Sequence, residues 1–243
     1  MININNRNAY AGRNVEFLFQ NSIGDHPSII ANLRKSYGIE GEFETVIAGG
    51  IYGEKSDARI AFTSGHYLDV NIKAFKGQGF NQVTRTTISK FCRDFGLNNE
   101  DKNELEGIVV AKSRNTSQDL FPEQTRDKWG LFFHNNVNQI LRWGFSYKPS
   151  RELLVLYSRD TDIMYLYRMK DVLSSLPKNI TFTKGGFNIG SCISFQRKGG
   201  NGSMSKHIPK EDISHPGNNV QLKIKPHKFI TEMSDILLDY YRI

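Results

Sequence analysis

The stretch Ser56-Asp57-Ala58-Arg59-Ile60-Ala61-Phe62, the turn Thr63-Ser64-Gly65-His66 and the run Tyr67-Leu68-Asp69-Val70-Asn71-Ile72-Lys73 decide how the chain is read. The second half alternates strictly. Leu68, Val70, Ile72 and Ala74 point one way, while Asp69, Asn71, Lys73 and Phe75 point the other, which is the period-2 signature of a strand. Asp57 to Phe62 is strand-like as well, and the four residues between the runs have hairpin length. Pairing the two strands puts Asp57 beside Asn71 and Lys73. A carboxylate, a second oxygen donor and an ammonium meeting at a sheet edge suit divalent-metal phosphodiester cleavage. Mg²⁺ prefers oxygen ligands, polarises a phosphate and acidifies an attacking water, and an ammonium stabilises developing charge. The competing reading of the same residues is a surface hairpin with a salt-bridged face.

The rest of the chain bounds the setting. Its 243 residues fit one large domain, with 38% hydrophobic and 23% charged residues, as in a soluble globular protein. No apolar run has membrane-spanning length, and the stretch Met1-Ile2-Asn3-Ile4-Asn5 lacks the apolar core of a signal peptide. Cys92 and Cys192 make neither a disulfide framework nor a metal-ligand spacing, so a reducing, cytoplasmic location is expected. A net charge of +7 favours a polyanionic partner, because neutralising phosphates releases counterions.

Along the chain, Ala9 to Asn21 predicts an amphipathic helix carrying Glu16, a carboxylate able to reach over a sheet edge as an extra ligand or water-orienting group; the alternative is a solvated helix glutamate. Pro27 to Tyr37 predicts a helix closed by Gly38, and Phe43 to Ala48 a strand. Gly49-Gly50-Ile51-Tyr52-Gly53 lacks the Walker spacing and reads as close backbone approach beside the site or as a simple turn. The loop Lys76-Gly77-Gln78-Gly79-Phe80-Asn81-Gln82 has the basic and amide side chains that contact DNA backbone and base edges. Arg85 and Lys90, on a helix predicted from about Val83 to Phe95, extend that face.

Helices are further expected over Asn99–Lys112, capped by Asn98 or Asn99, and over Arg126–Phe145, with strands at Leu153–Tyr157 and Ile163–Tyr167. The turn Arg159-Asp160-Thr161-Asp162 between them offers a rival pair of carboxylates, although such turns are common. Strands follow at Ile180–Thr183, Ile189–Gln196 and Val220–Lys225, then a closing helix from Lys228 to Tyr241. The glycine-rich basic segment starting at Gln196-Arg197-Lys198 and including Asn201 is a candidate groove reader, or else a solvated loop.

Three blocks, Val46-Ile47-Ala48-Gly49-Gly50, Lys55-Ser56-Asp57-Ala58-Arg59-Ile60 and Asp69-Val70-Asn71-Ile72-Lys73, resemble the catalytic segment of MspI-type restriction endonucleases of the PD-(D/E)XK superfamily. Gly79-Phe80-Asn81-Gln82 and Gln196-Arg197-Lys198-Gly199-Gly200, with Leu222-Lys223-Ile224, are similar to a GCGC-cutting relative of that group. The matches cover under half of the chain. The resemblance implies an α/β fold of the α+β type, with a central mixed β-sheet flanked by helices in one domain over residues 1–243. The catalytic core would span about 9–95 and a DNA-reading region about 180–226. It further implies Mg²⁺-dependent hydrolysis, with Asp57 as main metal ligand, Asn71 as intervening ligand, Lys73 as catalytic lysine and Glu16 as a helix carboxylate. Ser56 stands where the superfamily motif has proline, and Asn71 stands where it has an acid. The latter departure matters more, since a neutral amide binds Mg²⁺ more weakly; MspI-like enzymes share the asparagine.

The expectation is thus a type II restriction endonuclease of a restriction-modification system. It would cut a short palindromic duplex DNA target as a homodimer and leave 5′-phosphate and 3′-hydroxyl ends, with DNA contacts from Lys76, Gln78, Asn81, Gln82, Arg85, Gln196, Arg197, Lys198 and Asn201. A structure- or damage-specific repair nuclease of the same superfamily and a catalytically silent DNA-binding protein are the alternatives.

Overall fold

Two β-sheets organise the chain. The structure, a computed structural model, describes residues 7–49, 56–200 and 207–243. It divides into two compact units, one formed by residues up to 81 with 146–176 and 230–243, the other by 82–145 with 177–229.

The first unit holds a six-stranded sheet. Its strands, in chain order, are β1 (Phe43–Ala48), β2 (Ala58–Phe62), β3 (Tyr67–Phe75), β5 (Glu152–Ser158), β6 (Ile163–Arg168) and β11 (Leu237–Arg242), and they lie side by side in that order. The sheet is mixed, because β3 and β5 run parallel while the other neighbours run antiparallel. Helices α1 (Arg7–Ser22) and α2 (Pro27–Tyr37) cover one face. Val15 and Phe19 from α1 and Ile29, Ile30 and Leu33 from α2 meet Ile60, Leu68, Val70, Ile72, Leu153 and Val155 in a single core. The alternation predicted for β3 is therefore real. Its apolar set is buried against the helices, and Asp69, Asn71 and Lys73 stand on the opposite face. Gly38 ends α2 in the left-handed conformation (φ 62°), donating its N–H to the carbonyls of Arg34 and Lys35.

The second unit holds a five-stranded sheet of β4 (Asn81–Thr86), β10 (Val220–Ile224), β9 (Ile193–Arg197), β8 (Gly186–Ile189) and β7 (Ile180–Thr183), adjacent in that order. Its core is aromatic. Phe133 of α5 (Glu123–Asn135) contacts Phe187 at 4.3 Å and Phe195 at 5.4 Å, and the latter two rings stack at 4.8 Å. The helix α6 (Val137–Gly144) lies so close to β10 that a Cβ on Gly144 would fall 2.3 Å from Leu222 Cδ2. The unit also contains α3 (Ile88–Asp94) and α4 (Asn99–Arg114), the latter capped by Asn98 as expected, its Oδ1 accepting from Asp101 N–H at 2.9 Å.

Four expectations from the sequence are corrected. The helix placed over Val83–Phe95 begins only at Ile88. Residues 81–86 form β4, and Thr87 caps α3 by accepting from Lys90 N–H. The run of β-branched Val83, Thr84 and Thr86 fits a pleated neighbour of β10 better than a helix. The long helix over Arg126–Phe145 breaks at Asn136 (φ −107°, ψ 9°) into α5 and α6. The strand over Ile189–Gln196 is a hairpin of β8 and β9. Gly190 (φ 57°) sits at the end of β8, where a Cβ would press within 2.9 Å of the Pro177 ring. The closing helix is limited to α8 (Pro226–Glu232). The chain then forms β11, whose Tyr240 pairs with Tyr165 of β6, because an open sheet edge offers 237–242 a backbone ladder. The remaining helix, α7 (Met169–Ser175), follows β6 directly. Among the described residues no helix is long and apolar enough to cross a membrane.

Candidate active site

The site forms where β2 ends before β3 does. The ladder between them closes at Ala58 opposite Val70, and the Asp57 N–H adds one more bond, to Val70 O at 2.8 Å. Two residues on, Ile72 faces the same side, where the β2 ladder no longer reaches it. The Asp57 carboxylate and the Lys73 ammonium supply what the strand does not: Asp57 Oδ2 accepts from Ile72 N–H at 2.6 Å, and Lys73 Nζ donates to Ile72 O at 3.1 Å. The two side chains also meet each other, Lys73 Nζ donating to Asp57 Oδ2 at 3.2 Å, with both partly buried. The pair is thus held by backbone at both ends, which fixes its position far better than a surface ion pair would.

The glycine before the loop serves this geometry. Gly49 N–H donates to Asp57 O at 3.1 Å, and a Cβ there would lie 2.5 Å from Ser56 O and 2.7 Å from the Asp57 carbonyl carbon. Of the two readings of that loop, close backbone approach is the one Gly49 supports. Residues 50–55 lie outside the described residues.

Asn71, on the same face of β3 as Lys73, is buried and donates from Nδ2 to Glu152 Oε2 at 3.2 Å. Glu152 opens β5 and is itself buried. Its backbone is anchored by the parallel ladder and by Tyr37 Oη, which donates to Glu152 O at 2.7 Å. Sequence reasoning missed Glu152 because nothing local marks it; only the parallel register, which sets Asp69 opposite Glu152, brings it beside Asn71. Asp69 is engaged otherwise, accepting from Arg59 Nε at 2.8 Å, while the same guanidinium lies 4.2 Å from the Tyr67 ring centroid. Glu16 sits half-buried on α1, next to core residue Val15. Since α1 packs on the Leu68–Val70–Ile72 face, a carboxylate there comes to the Asn71 face only around a strand end.

The rival aspartates have structural partners. Asp160 Oδ2 accepts from Gly77 N–H at 2.6 Å, and Asp162, at φ 54°, accepts from Tyr157 Oη at 2.7 Å. Among the described residues no three His, Cys, Asp or Glu side chains gather as a metal cluster. A cation at the β2–β3 hairpin would draw on the Asn71 amide oxygen as well as on Asp57. The donor set, a carboxylate and a carboxamide oxygen with a lysine alongside, is all hard oxygen and fits Mg²⁺.

The predicted DNA contacts fall into two groups. Lys76 and Gln78 are exposed in the loop after β3, and Gln82 and Arg85 are exposed on β4. Asn81 is half-buried, with Nδ2 donating to Ala74 O at 2.6 Å, so it braces the loop. Like Gln82 and Arg85 in the second unit, Gln196, Arg197 and Lys198 form the other group, half-buried at the end of β9. Arg197 Nε donates to Asn218 Oδ1 at 2.8 Å, and Asn218 in turn donates to the carbonyls of Lys210 and Asp212. The returning part of the loop is accordingly tied down, while Asn201 lies outside the described residues. Burial lowers the pKa of Lys198, and the neighbouring charges of Arg85 and Arg197 lower it further. Lys223 on β10 is lowered in the same way, by burial and then by Lys198. Cations that depress one another mark a concentrated positive potential. Lys223 belongs to this cluster, and the sequence marked it only within the Leu222-Lys223-Ile224 block and the strand expected over Val220–Lys225.

The chain is similar to a solved restriction endonuclease, MspI in complex with its cognate DNA, with a TM-score of 0.50 at 13% identity over 87% of this chain and 83% of that one. The fold is restriction-endonuclease-like. No family model matches the sequence, and no curated protein matches it closely. The central mixed sheet flanked by helices that the sequence led one to expect is what the comparison shows.

Proposed function

We propose that the protein is a Mg²⁺-dependent endonuclease acting on double-stranded DNA, of the type II restriction class and MspI-like in its site. The observation that carries this reading is the Asp57–Lys73 pair, which bonds the Ile72 backbone beyond the end of the β2 ladder and so presents a fixed carboxylate and ammonium beside Asn71. The restriction-endonuclease-like fold and the basic cluster of Arg85, Arg197, Lys198 and Lys223 support it.

In this reading Asp57 and Asn71 hold Mg²⁺ through side-chain oxygens, with Glu16 as a further carboxylate at the strand ends. Bound Mg²⁺ supplies Lewis-acid polarisation of the scissile phosphate and a more acidic water. Lys73, kept in place by Ile72 O and Asp57, orients the attacking water and stabilises the charge that develops on the phosphate. Arg85, Arg197, Lys198 and the loop residues Lys76, Gln78 and Gln82 bind phosphates and base edges, with Asn81 shaping the loop and Gln196 and Asn201 completing the reading segment. A short palindromic target read by a homodimer, within a restriction-modification system in the cytoplasm, is the biological setting proposed.

Digestion of unmethylated phage DNA in magnesium by wild type, Asp57→Ala and Lys73→Ala tests the reading. Discrete fragments from wild type alone are expected. A smear in place of bands would favour a structure- or damage-specific nuclease, and tight DNA binding without any cleavage would favour a binding protein. Light scattering with and without DNA tests the dimer, and a monomer in both would refute it.

A further inference from the structure

Asparagine poses a problem at a metal site that aspartate does not. Both ends of a carboxylate are oxygens, so either rotamer presents a ligand. A carboxamide has one oxygen and one NH₂, and an NH₂ turned towards a cation repels it. An asparagine ligand therefore needs something to fix its flip. At Asn71 that partner is Glu152. Asn71 Nδ2 donates to Glu152 Oε2 at 3.2 Å, and both side chains are buried. The amide must give Glu152 its NH₂, which sends Oδ1 the other way. Glu152 is in turn held from behind by the β3–β5 ladder and by Tyr37.

We infer that Glu152 is a positioning residue that locks the Asn71 carboxamide with its oxygen directed at the metal position, making a neutral amide serve where an acid would otherwise stand. The inference rests on the proposed metal site at Asp57 and Asn71. It accounts for a buried carboxylate on a strand that contributes none of the residues of the proposed chemistry. It also predicts a coupling: position 152 must accept when position 71 is an amide, and must donate when position 71 is an acid.

The test measures Mn²⁺ binding directly, by the electron paramagnetic resonance signal of the free ion, in the folded protein without DNA. Wild type should bind and Asp57→Ala should not, which establishes the site itself. Glu152→Ala should weaken binding by about 10- to 100-fold, the range typical of lost partners behind metal ligands, and Glu152→Gln should weaken it less, because its amide can accept from Asn71 or donate to it and no longer dictates the flip. Asn71→Asp alone should bind Mn²⁺ but lose folding stability, because it opposes two carboxylates. Asn71→Asp combined with Glu152→Gln should restore both binding and stability, since glutamine can donate to the new acid. Circular dichroism melts of every variant separate folding from binding. Equal Mn²⁺ affinity in wild type and Glu152→Ala would overturn the inference, as would a paired variant no more stable than Asn71→Asp alone. Undiminished binding by Asp57→Ala would instead remove the metal site on which it rests, and the inference with it.

Discussion

Asp57 and Asp160 each accept a backbone N–H at 2.6 Å, from Ile72 and Gly77 respectively, yet only one belongs to a candidate active site. Asp160 terminates a turn, and its neighbour Asp162 is spoken for by Tyr157. Asp57 shares its oxygen with a lysine, next to a buried carboxamide that is itself oriented by a carboxylate. The backbone bond is common to both and explains local structure. What sets the hairpin apart is the convergence of three further polar side chains from β3 and β5 on one sheet face.

Substitutions should separate the two aspartates sharply. Asp57→Ala and Lys73→Ala are expected to reduce DNA cleavage by at least about a thousandfold, the scale of losing a preorganised charge-stabilising group, in a single-turnover assay. Asp160→Asn should leave cleavage within about threefold of wild type. It should cost about 1 kcal/mol of stability in a denaturant melt, as expected for one weakened hydrogen bond. A large loss of cleavage in Asp160→Asn with the fold intact would dissolve the distinction.

A smaller effect should come from the basic cluster of the second unit. Lys198→Gln with Lys223→Gln should weaken DNA binding and flatten the dependence of log affinity on log salt by roughly one to two units, about one per lost phosphate contact. Because burial and neighbouring cations hold both lysines below the ordinary 10.5, they lose protons at lower pH than other lysines. DNA affinity at low salt should then fall as pH rises towards 10.5, and fall less in the double variant. In the absence of DNA the sign reverses for stability. The unfolded chain binds more protons than the folded one in that window, so these lysines destabilise the fold less as pH rises through their lowered values.

The least effect concerns Cys92, buried in the second unit, where burial and Glu106 push its thiol up to about 11. A thiol reagent at pH 8 should label it only in denaturant, and rapid labelling of the folded protein would contradict its burial. Between about 9 and about 11 the unfolded thiol ionises first, so this group lowers stability as pH rises through that window.

How much of this was legible in the sequence differs between local and long-range features for a physical reason. The β2–β3 hairpin is local, and the period-2 alternation from Leu68 to Lys73 already places Asn71 and Lys73 on one face. Glu152 was invisible because its approach depends on a parallel pairing across about eighty residues, which no local pattern encodes. The same cause hid β11: Leu237 to Arg242 carries apolar residues compatible with a helix, and only the waiting edge of β6 turns it into a strand. Where punctuation is chemical rather than tertiary, as at Pro27, Gly38 and Asn98, the helix ends could be read directly.

The most direct test of the central claim is a crystal of the protein soaked in Mn²⁺ and recorded for anomalous scattering. A peak within coordination distance of Asp57 and Asn71 Oδ1, about 2.0–2.3 Å, is the expected result. A peak at the Asp160–Asp162 turn with none at the hairpin would contradict the account.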